Sequence, residues 1–238
     1  MDWTTFIGPA AIAAAVSGVI TMVVMFVNRA TSIKVNQDKI RADTQLAERK
    51  FAFDKELAER RFTYDRQQAI FRRRFELAEQ VLADAYRFRD LMKYVRSGFS
   101  FVGEGETRQT AGTEPEGIKR TKDNYFVPIE RLQKESEFIS AMMAKRHASS
   151  AHFGADSEKA FKAFNAAMHH VRVASSMLIQ LADDHHPNNQ ELQEKMRCDI
   201  SEPMAEHEGQ NRIGKEVDEG VMLIEGFCRP VLEESSSK

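Results

Sequence analysis

The chain has 238 residues, of which 42% are hydrophobic and 29% are charged, and its formal net charge is −2. This composition is too apolar and too evenly charged for a disordered polypeptide. Its two cysteines exclude a disulfide framework and a zinc site built from several cysteines. The 12 glycines and 6 prolines are few for this length, which favours long helices over a turn-rich β fold. We therefore predict an all-α protein.

An uncharged apolar run comes first in the chain. Residues 6–27 read FIGPAAIAAAVSGVITMVVMFV, and about 20 apolar residues cross the ~30 Å hydrocarbon core of a bilayer as a helix. A cleaved signal peptide is the alternative, but the run is long for one and no Lys or Arg precedes it. We predict a single-pass transmembrane anchor over residues 1–29.

Flanking charge predicts the orientation of this anchor. Asp2 precedes the apolar run, whereas Arg29, Lys34, Lys39 and Arg41 follow it closely. Because positive flanks stay in the cytoplasm, we expect the N-terminus outside the plasma (inner) membrane and the C-terminal domain in the cytoplasm. Arg29 and Lys34 are the residues expected to contact anionic lipid head groups.

Small residues recur every four positions in the predicted span. Ala10, Ala14 and Gly18 share one helix face, and such a face lets transmembrane helices approach closely. Ser17 and Thr21 are the polar residues of the segment, which contains no ionisable group. The composition of the predicted span therefore favours association between transmembrane helices over a path for transport.

An eleven-residue repeat follows the membrane segment. Residues 46–56 read LAERKFAFDKE, residues 57–67 read LAERRFTYDRQ, and residues 68–78 are a degenerate third copy. Eleven residues make three helical turns, which is typical of a helix that is nearly straight or that supercoils to the right. Because no Gly or Pro lies between Ala30 and Arg96, we predict one continuous, coiled-coil-like stalk helix over residues 30–97.

The repeat places apolar side chains on two stripes about 130° apart around the helix. The first stripe contains Leu46, Phe53, Leu57, Tyr64 and Phe75, and the second contains Ala47, Phe51, Ala58 and Phe62. A two-stranded coiled coil needs one seam, so two stripes predict that each helix contacts two neighbours. These neighbours are copies of the chain in a ring or tube, or other segments of the same chain. A single wide amphipathic face is the remaining alternative.

Charge is distributed unevenly along the chain. Between the stripes, Lys50 with Asp54 and Arg61 with Asp65 are predicted to form ion pairs one turn apart. Residues 29–96 carry a net charge of +6, and residues 97–238 carry −7. The basic segment has no recognition motif, so no nucleic-acid partner is expected.

The distal part predicts a cytoplasmic helical bundle. Residues 98–124 contain GFSFVGEGETRQTAGTEPEG and are predicted to be a flexible loop. Residues 125–238 are predicted to form an antiparallel bundle of four or five helices, shared with the end of the stalk. Its predicted helices cover residues 128–146, from 156 or 157 to about 185, 192–203 and 217–231.

Candidate catalytic groups are few. Adjacent histidines on a helix point about 100° apart, so the pairs at 169–170 and 185–186 each supply one metal ligand at most. Cys198 and Cys228 are expected to be reduced thiols. Phosphate-binding, nucleophile-elbow and zinc-protease motifs are absent from the sequence. We predict no catalytic residue, no cofactor and no metal.

These features predict a membrane-anchored, non-enzymatic scaffold or interaction protein. It is expected to contact membrane lipid, to form a homo-oligomer, and to recruit or sense a cytoplasmic protein through its distal bundle. The alternative is a membrane effector whose spans assemble into a pore or disrupt the bilayer when triggered. A metal-dependent helical enzyme is a third, less favoured, interpretation.

Overall fold

The computed structural model describes residues 8–110, 112, 114–183, 189–202 and 211–234. Across these residues the protein is all-helical and contains no strand, which confirms the predicted fold class. A short 3-10 turn, Ala155–Ser157, precedes the fourth helix. The helices are α1 (Pro9–Val95), α2 (Glu116–Lys134), α3 (Ser136–Phe153), α4 (Glu158–Leu181), α5 (Gln190–Ile200) and α6 (Arg212–Glu234).

The chain divides into two compact units, and the first ends at Gln68. In the described part of this unit α1 is unbroken, so the helical backbone does not stop at the predicted anchor boundary, residue 29. Every side chain from Ala11 to Gln68 is exposed. Of the described helices, α1 is the one that is long and apolar enough to cross a membrane.

The second unit, Ala69–Lys238, contains the hydrophobic core. Helix α4 packs against α2, α5 and α6, and the last turns of α1 bury residues in the same core. The rings of Phe88 in α1 and Phe164 in α4 lie 4.7 Å apart at their centroids. The buried residues of α1 and α4 recur three and four positions apart, as a helix face requires. They include Ala78, Val81, Ala85, Phe88, Met92 and Val95 in α1, and Phe161, Phe164, Met168 and Val171 in α4.

The predicted loop at residues 98–124 is too long, because α2 begins at Glu116. The first turns of α2 lack the apolar pattern from which a helix could be predicted. Ionic contacts of Lys122 and Asp123, rather than apolar packing, fix this part of the helix. Pro128 lies inside α2 rather than at its start. Its missing N–H removes one helical hydrogen bond, but the helix continues on both sides.

Other helix boundaries also differ from the predicted ones. The predicted helix 128–146 is two helices, because the chain turns at Glu135, whose N–H bonds to the carbonyl of Arg131. Helix α3 then runs to Phe153 and ends at Gly154, which has a φ of 94°. Helix α4 ends at Leu181, before the predicted end near residue 185, which lies outside the described residues.

Gly220 of α6 gives a test of this packing. A Cβ at Gly220 would lie 2.5 Å from Cε1 of Phe164, whose ring is fully buried against Phe88. We expect Gly220→Ala to lower the free energy of unfolding by about 1–3 kcal/mol because the added methyl overpacks the core. Gly226→Ala in the same helix meets no atom within 4 Å. This matched control should gain about 0.5–1 kcal/mol from helix propensity. Urea unfolding followed by circular dichroism compares the two, and equal stabilities would contradict the packing.

Candidate interaction surface

The two apolar stripes are open to solvent in the first unit. Phe51 and Phe62 of the second stripe are 73% and 71% exposed, and Leu46 of the first stripe is 69% exposed. Phe75 of the first stripe lies in the second unit and is half-buried. Monomeric soluble proteins rarely expose contiguous apolar surfaces of this kind, and such surfaces usually mark interaction sites.

The ion pairs predicted between the stripes are not formed. Across the described residues, neither Lys50 with Asp54 nor Arg61 with Asp65 makes a salt bridge, and all four side chains are exposed. The repeat region instead pairs Arg60 with Glu56 at 2.6 Å, and Arg72 with Glu76 at 3.1 Å, each one turn apart. Both observed pairs use glutamate, whereas both predicted pairs use aspartate.

The residues of the predicted span lie on an exposed helix. Ala14 and Gly18 are exposed, and a Cβ added at Gly18 would meet nothing within 4 Å. The side chain of Ala10 lies outside the described residues, although its backbone belongs to α1. The hydroxyls of Ser17 and Thr21 donate to carbonyls of their own helix, at 3.2 and 2.8 Å. They therefore need no water when the helix is surrounded by lipid.

The two residues predicted to contact lipid head groups follow the apolar part of α1. Arg29 and Lys34 are exposed on the helix, and neither forms an ion pair with another described residue. Both side chains are long enough to reach a head-group layer while their stems cover apolar surface.

In the second unit, the buried guanidinium of Arg131 holds the segment after α1. Its nitrogens donate to the carbonyls of Tyr94, Ser97 and Phe99, the nearest at 2.6 Å, and to both carboxylate oxygens of Glu104. Arg131 is 1% exposed. The hydrogen bond from Arg131 lowers the pKa of Glu104 to about 2. We call these groups the Arg131 clasp.

The segment held by the Arg131 clasp also contains a glycine that its backbone contacts require. Gly105 adopts a φ of 87°, and its N–H donates to the buried carboxylate of Glu130. A Cβ at this position would overlap the carbonyl oxygen of Asp123, so the backbone approach requires glycine. The predicted flexible loop is therefore fixed by specific contacts in the described structure.

A second ionic cluster joins the same segment to α2 and α4. Arg108, which is buried, donates to Glu114 and to Asp123, the latter at 2.9 Å. Lys122 donates to Glu114 at 3.2 Å and to Asp183 at 2.7 Å. The hydrogen bond from Arg108 is the main reason why the pKa of Glu114 lies below its ordinary value.

The clasped segment presents three apolar side chains to solvent. Phe99, Phe101 and Val102 are exposed, although the Phe99 carbonyl is held by Arg131 and the Phe101 N–H donates to Glu104. Fixing the backbone before a partner arrives reduces the ordering cost of binding. We call this surface the Phe99 loop.

Arg96 ties the end of α1 to the connection between α5 and α6. Its guanidinium donates to the carbonyls of Cys198, Asp199 and Ser201 at 2.9 to 3.1 Å, and to the side chain of Asn211 at 2.8 Å. These carbonyls close the last turn of α5, where a cation is favourable. Burial lowers the pKa of Arg96, but the guanidinium stays charged.

Several of the described candidate catalytic groups are engaged in contacts or buried. Among the described residues, no three His, Cys, Asp or Glu side chains are grouped to hold a metal. His170 Nδ1 lies 2.9 Å from a Glu216 oxygen, and Asp183 accepts from Lys122. The histidines at 185, 186 and 207 lie outside the described residues. Cys198 and Cys228 form no disulfide, and burial raises the pKa of Cys228 to about 12, so its thiol is unreactive at neutral pH.

Comparisons with known proteins give no match to a protein family, to a curated protein or to a solved structure.

The Arg131 clasp predicts a specific acid sensitivity. Because the folded-state pKa of Glu104 lies below its unfolded value of 4.5, its stabilisation is present above about pH 4.5 and is lost as the pH falls towards 2. We expect Glu104→Gln to be less stable than the wild type at pH 7, and the difference to shrink between pH 5 and pH 2. Chemical unfolding of the detergent-extracted protein at several pH values measures this difference in the free energy of unfolding.

The control for this experiment is Glu106→Gln, in the same segment. Glu106 is exposed and takes no part in the clasp, so this variant should match the wild type at every pH. A Glu104→Gln deficit that stays constant from pH 7 to pH 2 would show that ionisation of Glu104 contributes nothing to stability.

Proposed function

We propose that the protein is a membrane-anchored, non-enzymatic interaction protein that assembles through its repeat helix and recruits or senses a cytoplasmic protein partner through its distal domain. The observation that carries this proposal is the exposure of both apolar stripes along residues 46–67. The apolar start of α1 supports the anchor, with the N-terminus outside the inner membrane and the distal domain inside.

The exposed repeat needs a partner for a physical reason. Most helical stability in proteins comes from packing of an apolar face, because helix propensity alone is marginal in water. The described residues of the first unit contain no second helix that could cover the stripes. Copies of the chain anchored in one bilayer are concentrated and share one orientation, which makes them natural occupants of both stripes.

The distal domain has the features of a recognition module. Its unusual buried charges, Arg96 and Arg131, bind backbone carbonyls and hold connecting segments in place. The Phe99 loop presents aromatic surface on a fixed backbone, and aromatic residues are enriched among residues that dominate binding energy. We assign partner recruitment to this loop.

A second candidate function is a membrane effector that opens a pore. The empty space around Gly18 favours it, because a neighbouring span could approach closely there. The internal hydrogen bonds of Ser17 and Thr21 weigh against a water-lined face.

Mass measurement of the detergent-extracted protein tests assembly through the stripes. We expect a defined oligomer of three or more copies for the wild type. Phe51→Ser with Phe62→Ser should give mostly monomers, because it removes two exposed aromatic rings from the second stripe. Ala52→Ser with Thr63→Ser is the matched control on the opposite face, and it should assemble normally. A monomeric wild type would overturn the proposal.

Gly18→Leu separates the two candidate functions. The leucine fits the isolated helix, since nothing lies within 4 Å of the added Cβ, but it would block close approach of two spans. We expect the stripe-driven oligomer to persist, and liposomes containing the wild type to retain an entrapped dye. Dye release that Gly18→Leu abolishes would instead support the pore.

A further inference from the structure

The charges beside the two stripes determine which stripe meets which. At about 98° per residue, Lys50 and Arg61 lie beside the first stripe, on the side that faces the second stripe. Asp54 and Asp65 lie beside the second stripe, on the side that faces the first. We call these the basic flank and the acidic flank. The outer sides of both stripes are basic, with Arg49 and Arg60 beside the first stripe and Lys55 and Arg66 beside the second.

We propose that copies of the chain assemble heterologously, with the first stripe of one copy packed on the second stripe of the next. This inference rests on the proposed oligomeric function and adds the geometry of its interface. In this arrangement the basic flank of one copy meets the acidic flank of its neighbour, so Lys50 and Arg61 pair with Asp54 and Asp65 between chains.

Comparison of the possible contacts between parallel helices supports this choice. Packing the first stripe on another first stripe would bring the basic flank against Arg49 and Arg60, and like charges repel. Packing second stripes together is electrostatically favourable, because the acidic flank meets Lys55 and Arg66. That contact, however, joins two copies into a closed pair. The first stripes of both copies then remain uncovered, and the one contact left to them is the repulsive contact with another first stripe.

Heterologous packing covers both stripes of every copy with one repeated contact. The basic and acidic flanks are available for it, because their four side chains are exposed and form no ion pair in the described chain. On the outer side the arrangement brings basic residues of neighbours together. The pairing of Arg60 with Glu56 at 2.6 Å offsets part of this repulsion.

The angle between the stripes limits the number of copies. Neighbours placed about 130° apart around each helix correspond to the interior angle of a polygon with about seven sides. We therefore expect a closed ring of about seven parallel helices. The ring would carry the basic and acidic flanks on its inner wall and no apolar lining there.

Cysteine cross-linking of the full-length, membrane-inserted chain tests this interface. Phe53→Cys (first stripe) and Phe51→Cys (second stripe) are each made with Cys198→Ser and Cys228→Ala, and are expressed separately and together with different tags. We expect a short bismaleimide to join the two differently tagged chains, and to join neither variant to itself. Circular dichroism and mass measurement verify that each variant folds and assembles.

Charge exchange gives an independent readout. Lys50→Asp with Arg61→Asp should weaken assembly about tenfold at low salt, because two attractive contacts become repulsive. Adding Asp54→Lys and Asp65→Lys should restore assembly. Lys55→Asp with Arg66→Asp is the matched control, which should leave assembly intact or strengthen it.

The outcomes distinguish the interface from the proposed function. Self-cross-linking of Phe51→Cys, or loss of assembly in Lys55→Asp with Arg66→Asp, would show second-stripe pairs and overturn the heterologous interface while leaving an oligomeric protein. A monomeric wild type would overturn both proposals. Mixed cross-links together with restored assembly on charge exchange would support the heterologous ring.

Discussion

Eleven residues complete three turns of an α-helix, and this equality decides which side chains of the repeat share a surface. It keeps Phe51 above Phe62 and Leu46 above Leu57, so the apolar side chains form straight stripes. It also keeps each charge at a fixed angle from each stripe. The first unit exposes all these side chains in the described chain. Both proposals for assembly follow from this fixed arrangement, because a surface that does not wind around the helix can meet a parallel neighbour over its whole length.

The second unit uses charge for a different purpose. Arg131 and Arg96 each hold several backbone carbonyls in the last turn of a helix or just beyond it. The planar guanidinium presents five donors in a fixed fork, so one side chain can replace the water that these carbonyls would otherwise bind. A lysine would supply a charge without this geometry. Segments that bury few apolar side chains are thereby fixed to a core that apolar residues build, and the Phe99 loop owes its ordered backbone to this arrangement.

Helical periodicity in the sequence predicts the core well. Residues spaced three and four apart, such as Phe161, Phe164 and Met168, are buried where the pattern indicates. The start of α2 at Glu116 and the Arg131 clasp leave no such pattern. Their contacts join residues that are far apart in the chain, as between Lys122 and Asp183. Such residues come together through the folding of the whole domain, which local spacing does not describe. The ion pairs expected between the stripes also differ from the observed ones, because spacing alone does not decide which exposed charges pair. The stripes themselves could be predicted, but spacing within one chain does not identify what covers them.

The uninterrupted repeat has a consequence for how such a protein changes in evolution. Duplication or loss of one eleven-residue unit changes the length of α1 by about 16 Å and returns every later side chain to the same angular position. An insertion of another length would rotate the following residues around the helix axis. Residues 46–56 and 57–67, which begin with the same four residues, have the form expected of such a duplication. The distance between the two ends of α1 can then be adjusted in whole units while the two apolar stripes stay in line.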